Sequence, residues 1–219
     1  MPMYVKYGKR PLDLIIGMVA LVLLSPVLLL IATLVRLDLG APVLFRQARS
    51  GLHGRSFVAI KFRSMREARD GAGNPLPDDS DEAYAAARSG SRMTPFGRFL
   101  RESSLDELGG LLNVIGGDMS IVGPRPLVTR YLDRYTPDQM RRHEVRPGIT
   151  GLAQISGRQD IPFEERFVLD LWYVEHVSLW LDLSILLRTP LAVLRRRGAS
   201  ETGYATGREF TGTAADRDD

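Results

Sequence analysis

Leu14–Val35 reads LIIGMVALVLLSPVLLLIATLV, a run without a single charge, and how it is read decides the fold. As a straight helix it would be about 33 Å long, enough to cross a hydrocarbon core of about 30 Å. A secretory signal peptide fits poorly, because the apolar run is long and no A-x-A-like cleavage site follows it. On hydropathy alone the plain reading is one transmembrane helix. Ser25-Pro26 lies at the midpoint, where the proline removes a helix hydrogen bond and crowds the preceding turn. The serine hydroxyl can satisfy a freed carbonyl nearby, so a bend there is tolerable in lipid. Basic residues flank both ends, with Lys6, Lys9 and Arg10 before the run and Arg36, Arg46 and Arg49 after it. The positive-inside rule then leaves neither end external. A re-entrant helix that enters, bends at Ser25-Pro26 and returns to the same face accounts for both features.

Working outward, the remaining chain reads as a compact α/β domain, mostly helical with a small β element, lying against that anchor. The 219 residues carry 29 Lys+Arg against 26 Asp+Glu, a net charge of +3, too small to argue for nucleic acid. The absence of Cys excludes disulfides, thiolate metal sites and a cysteine nucleophile. Pro42–Phe45 and Ser56–Phe62 have strand composition, with the turn residues Gly51 and Gly54 between them. Gly71–Gly90 is rich in Gly, Pro, Asp and Ala and reads as a mobile surface loop. Phe96–Val114 carries helical spacing, Gly116–Pro126 is a turn, Thr129–Glu144 reads as a polar helix, and Pro147–Arg158 is a second glycine-bearing loop.

Phe163–Val177 and Leu179–Leu194 mix apolar and charged residues at helical spacing, and Arg195-Arg196-Arg197 closes the run. Asp182, Arg188 and Pro190 argue against a second crossing. Trp172, Tyr173 and Trp180 beside a basic cluster suit a lipid headgroup layer, although an ordinary core helix with a solvated end reads the same way. After Gly198 the tail is polar and glycine-rich, which predicts disorder. The expected organisation is a membrane hairpin at 1–38, a catalytic domain at 39–198 and a flexible tail at 199–219.

Chemistry concentrates in Arg101-Glu-Ser-Ser-Leu-Asp-Glu-Leu108. Ser104 and Glu107 have capping-box spacing, which accounts for the serine without requiring Asp106. In a first helical turn the dipole favours an anionic Asp106, and an ionised carboxylate can attack phosphorus. Adjacent helical residues do not share a face, so Asp106 and Glu107 are free to take different jobs, one attacking and the other binding metal or orienting a group. Gly116-Gly-Asp-Met-Ser-Ile-Val-Gly-Pro-Arg-Pro126 supplies glycines for close backbone approach to a phosphate, with Arg125 stiffened between Pro124 and Pro126. Arg146-Pro-Gly-Ile-Thr-Gly-Leu-Ala-Gln154 repeats the recipe, and Lys61 and Arg63 alternate on a strand so that both can point to one face. Together these segments describe a basic, phosphate-binding cleft whose carboxylates could hold Mg²⁺. His53, His143 and His176 are scattered, and P-loop, serine-hydrolase and zincin motifs are absent.

In this order the strings resemble the bacterial sugar transferases, the small monotopic polyprenyl-phosphate phosphoglycosyl transferases. The matching residues are Lys9-Arg10-Pro-Leu-Asp13, Ser25-Pro26, Pro42-Val-Leu-Phe45 with Gln47 and Arg49, and Lys61-Phe-Arg-Ser-Met65. They continue through Ser104-Leu-Asp-Glu-Leu108, Asn113-Val, Gly117-Asp-Met-Ser120, Val122-Gly-Pro-Arg-Pro-Leu127, Arg146–Gln154, and then Asp170, Tyr173, Ser178 and Asp182. The resemblance covers about Lys9 to Arg197. One departure is Gly109-Gly110, where the family often has Pro-Gln; in a helix interior two glycines would cost about 1 kcal/mol each relative to Ala.

The resemblance implies transfer of a sugar-1-phosphate from a UDP-sugar to undecaprenyl phosphate with release of UMP, the first step of a bacterial glycoconjugate such as an exopolysaccharide. It implies Asp106 as covalent nucleophile, Glu107 in the chemistry, and Mg²⁺ at this pair. The binding residues it suggests, with the charge pattern above, are Lys61, Arg63, Pro124, Arg125, Pro126, Arg146, Gln154 and Asp170. It further implies residence in the bacterial inner membrane with the catalytic domain on the cytoplasmic face, no nucleic-acid partner, and a homodimer left open. The competing classes are a membrane-anchored non-catalytic scaffold and an anionic-lipid-binding protein. Which sugar is carried is not written in these motifs.

Overall fold

The computed structural model describes residues 3–77, 80–157, 161–194 and 210–212. A turn of π-helix at Tyr4–Gly8 leads into helix α1, Lys9–Asp38, which is long and apolar enough to cross a membrane. α1 is helical straight through Pro26, so the break expected at Ser25-Pro26 is not an interruption of the helix. The local chemistry explains the continuity. Proline leaves the carbonyl four residues back without its donor, and here that carbonyl, Val22, accepts from Ser25 Oγ at 2.7 Å.

One stripe of α1 is buried at Lys9, Asp13, Gly17, Ile31 and Val35, near the helical period of three to four residues. Between these points Ile16, Ala20, Leu24 and Leu28 pack against the same body. Both ends are tied to it. Arg10 donates to the carbonyls of Val114 and Ile115 at 2.6 and 3.0 Å, and Asp38 Oδ2 accepts from Thr94 Oγ1 at 2.6 Å. The other faces leave Ile15, Val22, Leu23, Leu29, Leu30 and Leu37 exposed, an apolar surface far larger than a water-facing helix carries.

Strands β1, Leu44–Ser50, and β2, Ser56–Phe62, form an antiparallel pair in register Leu44↔Phe62 to Ser50↔Ser56. The strand expected at Pro42–Phe45 therefore overlaps β1 only at Leu44 and Phe45, and β1 runs on to Ser50. Gly71–Gly90 is not wholly a loop: helix α2 spans Asp81–Arg88, begun by the Ser80 side chain accepting from Ala83 N. The helical spacing of Phe96–Val114 resolves into α3, Pro95–Glu102, a 3₁₀ turn at Leu105–Gly110, and α4, Leu111–Gly116.

The Gly116–Pro126 turn and the Pro147–Arg158 loop each contain a strand. β3, Ser120–Val122, pairs in parallel with β4, Gly148–Thr150. Gly123, Gly148 and Gly151 make this close approach possible: a Cβ on Gly148 would lie 2.1 Å from Gly123 N, and one on Gly151 2.1 Å from Gly123 O. These three glycines permit backbone-to-backbone contact between the two strands. The polar helix expected over Thr129–Glu144 is three short pieces instead. They are a 3₁₀ turn at Thr129–Arg134, α5 at Pro137–Met140 restarted by a Thr136–Gln139 capping box, and a 3₁₀ turn at Arg141–Glu144.

α6, Leu152–Ser156, precedes the two long C-terminal helices, α7 at Phe163–His176 and α8 at Leu179–Leu194, which fall where the periodicity predicts them. Tyr173 and Ile185 enter a core with Val114, Ile121 and Val122, whereas Trp172, Trp180 and Leu187 face outward. Arg158, the Arg195-Arg196-Arg197 cluster and most of the 199–219 tail lie outside the described residues. Within that tail, Phe210 departs from the expected disorder, being only 2% exposed.

Candidate active site

Asp106 and Glu107 sit together on the 3₁₀ turn Leu105–Gly110. Ser104, before it, has φ +58°, a left-handed conformation, and its hydroxyl does not cap the turn. The capping box expected from the Ser104/Glu107 spacing is therefore not formed. The backbone closes the turn, Glu107 N donating to Ser104 O at 3.1 Å, and the Glu107 carboxylate is released for other partners.

Those partners come from two directions. Lys61 Nζ, on β2, and Arg125 Nη2 each lie 2.7 Å from Glu107 Oε1. Gly109 brings β2 this close, since a Cβ there would stand 3.0 Å from Lys61 Cα and 3.1 Å from Ile60 O. Gly109-Gly110 thus does not loosen a helix interior; it lets a 3₁₀ turn lie on a strand. Asn113 fastens the same contact, accepting from Ile60 N at 2.8 Å and donating to Val58 O at 2.7 Å.

The Pro124-Arg125-Pro126 loop is held by its carbonyls. Pro124 O accepts from Gly148 N at 2.9 Å, Pro126 O from Arg49 Nη1 at 3.3 Å, and Arg125 O from Arg142 Nη2 at 2.8 Å. A stiff loop with its backbone pinned at three successive residues presents the Arg125 side chain with little conformational freedom.

Asp106 is 7% exposed, and among the described residues its carboxylate makes no hydrogen bond. Burial, then the neighbouring Glu107 charge, pushes it up to about 6, against the pull of Lys61, Arg101 and Arg125. Burial acts on Glu107 too, but Arg125 and Lys61 outweigh it and hold that carboxyl well below the usual range. Burial lowers Lys61 to about 8, with Glu107 opposing. The adjacent acids are thus split: Glu107 Oε1 is held by two cations, while Asp106 is buried with no hydrogen bond among the described residues. Such splitting marks groups set up for different chemical roles.

Of the residues singled out in the sequence, Asp106, Glu107, Lys61 and Arg125 converge, with Pro124 and Pro126 carrying Arg125. Arg63 does not. β2 ends at Phe62, so strand alternation no longer governs it, and its guanidinium instead binds the carbonyls of Leu39, Gly40 and Ala41 beyond α1. Arg146 Nε donates to Gly117 O at 2.8 Å, bracing a turn. Gln154 Nε2 donates to Ile149 O at 2.9 Å, supporting β4. Asp170 is buried against Arg142, with Oδ2 2.6 Å from Nη2, and therefore supports the Arg125 loop from behind. Arg142 carries no motif that singles it out in the sequence. Nor does the spacing assign a role to Arg101, whose Nε donates to Ser64 Oγ at 2.9 Å and whose charge acts on both acids.

The chain matches the bacterial sugar transferase family over residues 4–196. It is 47% identical over 205 residues to the uncharacterized sugar transferase EpsL of Bacillus subtilis, covering 94% of this chain and 96% of that one. It is 40% identical over 202 residues to the undecaprenyl-phosphate galactose phosphotransferase of Salmonella typhimurium, covering 89% of this chain but 42% of that longer protein. The UDP-glucose:undecaprenyl-phosphate glucose-1-phosphate transferase of Caulobacter vibrioides is 41% identical over 194 residues, 85% of this chain and 69% of its own length.

Proposed function

The chain belongs to the bacterial sugar transferase family, and from that premise we propose that it moves a sugar-1-phosphate from a UDP-sugar to undecaprenyl phosphate, releasing UMP, through a covalent bond to Asp106. The observation that carries this reading is the pair of acids in which one is spoken for by Lys61 and Arg125 and the other is buried without a hydrogen bond. A desolvated carboxylate is a stronger nucleophile than a hydrated one, and it needs no proton removed above its pKa. Asp106 attacks the sugar-bearing phosphorus, the bond to the UMP oxygen breaks, and a phosphosugar mixed anhydride (an acyl phosphate) of Asp106 forms. An oxygen of the polyprenyl phosphate then attacks the same phosphorus and returns the carboxylate. Arg125 and Lys61 neutralise charge that builds on the phosphoryl oxygens and on departing UMP, with Arg101 adding to the field. Glu107 keeps both cations in place.

The donor set fits Mg²⁺ as a site shared with substrate: two adjacent carboxylates, Glu107 using only Oε1 for its cations and Asp106 making no hydrogen bond among the described residues. Mg²⁺ is commonly held by one or two carboxylates plus substrate phosphates, so Asp106 and Glu107 would hold it together with the diphosphate. Bound there it would supply charge neutralisation to the leaving phosphate.

We further read α1 as re-entrant, dipping into the inner membrane from the cytoplasmic face, with 1–38 as anchor and 39–198 as catalytic domain. Support comes from the two ends of α1, which bind the same body at Val114–Ile115 and at Thr94, while its other faces are apolar and exposed. The outward Trp172 and Trp180 would lie in the headgroup layer, holding the site at the depth of a lipid phosphate. The galactose and glucose activities named for relatives leave the sugar open.

The test is UMP release from a panel of UDP-sugars by detergent-solubilised protein with Mg²⁺ and undecaprenyl phosphate. Release from one donor, lost in Asp106→Asn, is the expected result; silence across the panel from folded protein would favour the scaffold reading.

A further inference from the structure

Phe210 is buried against the domain. The Phe210 ring sits in an aromatic box, 5.1 Å from Phe167 edge-on, 5.3 Å from Phe163, and 5.7 Å from both Tyr131 and Tyr135. Its backbone is held as well. Phe210 N donates to the Tyr131 hydroxyl at 3.3 Å, and its carbonyl accepts from Arg134 Nη1 at 2.5 Å. Ring and backbone held together make this a specific seat rather than a loose apolar contact.

Two walls of that box have a second duty. Phe167 and Tyr135 flank the guanidinium of Arg142, at 5.6 and 6.0 Å from their ring centroids. Arg142 is buried, is fixed on Asp170 Oδ2 by Nε at 3.1 Å and Nη2 at 2.6 Å, and donates from Nη2 to the Arg125 carbonyl. Arg125 in turn reaches Glu107. A continuous series of contacts therefore runs from the tail to the acid pair.

We propose that Phe210 is a positioning residue: seated in the box, it fixes Tyr135 and Phe167, they fix Arg142, and Arg142 sets the loop that aims Arg125 at the active site. Dense interiors respond to a lost ring by partial collapse of its walls, and here the walls that would move are those around Arg142. Phe210 thus becomes part of the machinery that orients the donor.

The catalytic half of this proposal rests on the transferase reading, so the test has two independent readouts on the full-length chain. The first is kcat/KM for UMP release with a donor that the wild type accepts. Phe210→Ala should lower it roughly tenfold, as sub-ångström misplacement of a positioning group does, and Phe210→Leu, which keeps an apolar plug, should recover most of the loss. In combination with Arg142→Lys the losses should fall well short of multiplying, because both act through one contact series. The second readout is hydrogen exchange in Gly123–Val128, which needs no substrate and should speed up several-fold in Phe210→Ala. Unchanged kcat/KM, losses that multiply, or exchange confined to Tyr131–Tyr135 and α7 would overturn the proposal. A wild type inactive toward every donor would count against the transferase reading, and the exchange experiment would then decide the latch alone.

Discussion

Two clusters of buried acids and cations meet the same chain with opposite outcomes. At the base of α1, Asp182 is fully engaged: Oδ2 accepts from Lys9 Nζ at 2.5 Å and Tyr4 at 2.7 Å, and Oδ1 from Tyr173 at 2.7 Å. Asp13 nearby accepts from Ile121 N at 3.0 Å. Burial and the Asp182 charge push the Tyr173 hydroxyl far above its ordinary range, so it remains a donor. At the acid pair, Glu107 takes Lys61 and Arg125 on Oε1 alone, and Asp106 makes no hydrogen bond among the described residues. Satisfied charge fastens the long apolar helix α1 to the domain; on the proposed mechanism, the carboxylate without a hydrogen bond is the one that reacts. The same residue types serve architecture or chemistry according to whether their hydrogen-bonding capacity is used up.

Substitutions should separate the clusters cleanly. Asp106→Asn should reduce turnover roughly ten-thousandfold or more, as loss of a nucleophile does, without harming the fold. Its effect on stability has a definite sign. The folded-state pKa of Asp106, about 6, lies above the ordinary 3.8, so the acid's contribution is present at low pH and lost as pH rises through about 6. Asn carries no such cost, and thermal unfolding should show the variant gaining about 1–3 kcal/mol over wild type between pH 4 and pH 7. A variant that unfolds earlier than wild type at pH 7 would break the comparison.

Asp182→Ala should do the reverse. It leaves Lys9 buried without its partner, which costs about 3–5 kcal/mol, measurable as an earlier thermal transition, while kcat per folded molecule stays near wild type. Arg125→Lys keeps the charge but loses the planar fork, and kcat/KM should drop roughly ten- to a hundredfold with little change in unfolding. The mildest effect is of pH itself: wild-type kcat/KM should fall about tenfold per unit below pH ~6, where Asp106 is protonated, and level off above it.

How much of this was legible in the sequence differs between the same regions. The acids, Lys61 and Arg125 could be read directly, because charge and glycine-proline punctuation survive without any knowledge of contacts. The long helices α1, α7 and α8 were legible from periodicity and hydropathy. β3 and β4 were not, since three residues are too few for a period and their pairing joins segments far apart in the chain. α2 was hidden by the glycines and prolines around it, although Ser80 before an alanine-rich run is a helix-start signal. Arg63 lies one residue past the end of β2, where strand alternation no longer sets the direction of a side chain. Arg142 and Phe210 act on a backbone carbonyl and a ring, partners that leave no mark on sequence spacing.

The covalent route is tested most directly by intact-protein mass measurement after incubation with an accepted UDP-sugar and Mg²⁺ but no polyprenyl phosphate. The expected result is a mass gain of one phosphosugar, mapped to the peptide bearing Asp106, absent in Asp106→Asn and discharged when undecaprenyl phosphate is added. UMP released only once the acceptor is present, with the protein mass unchanged throughout, would contradict it.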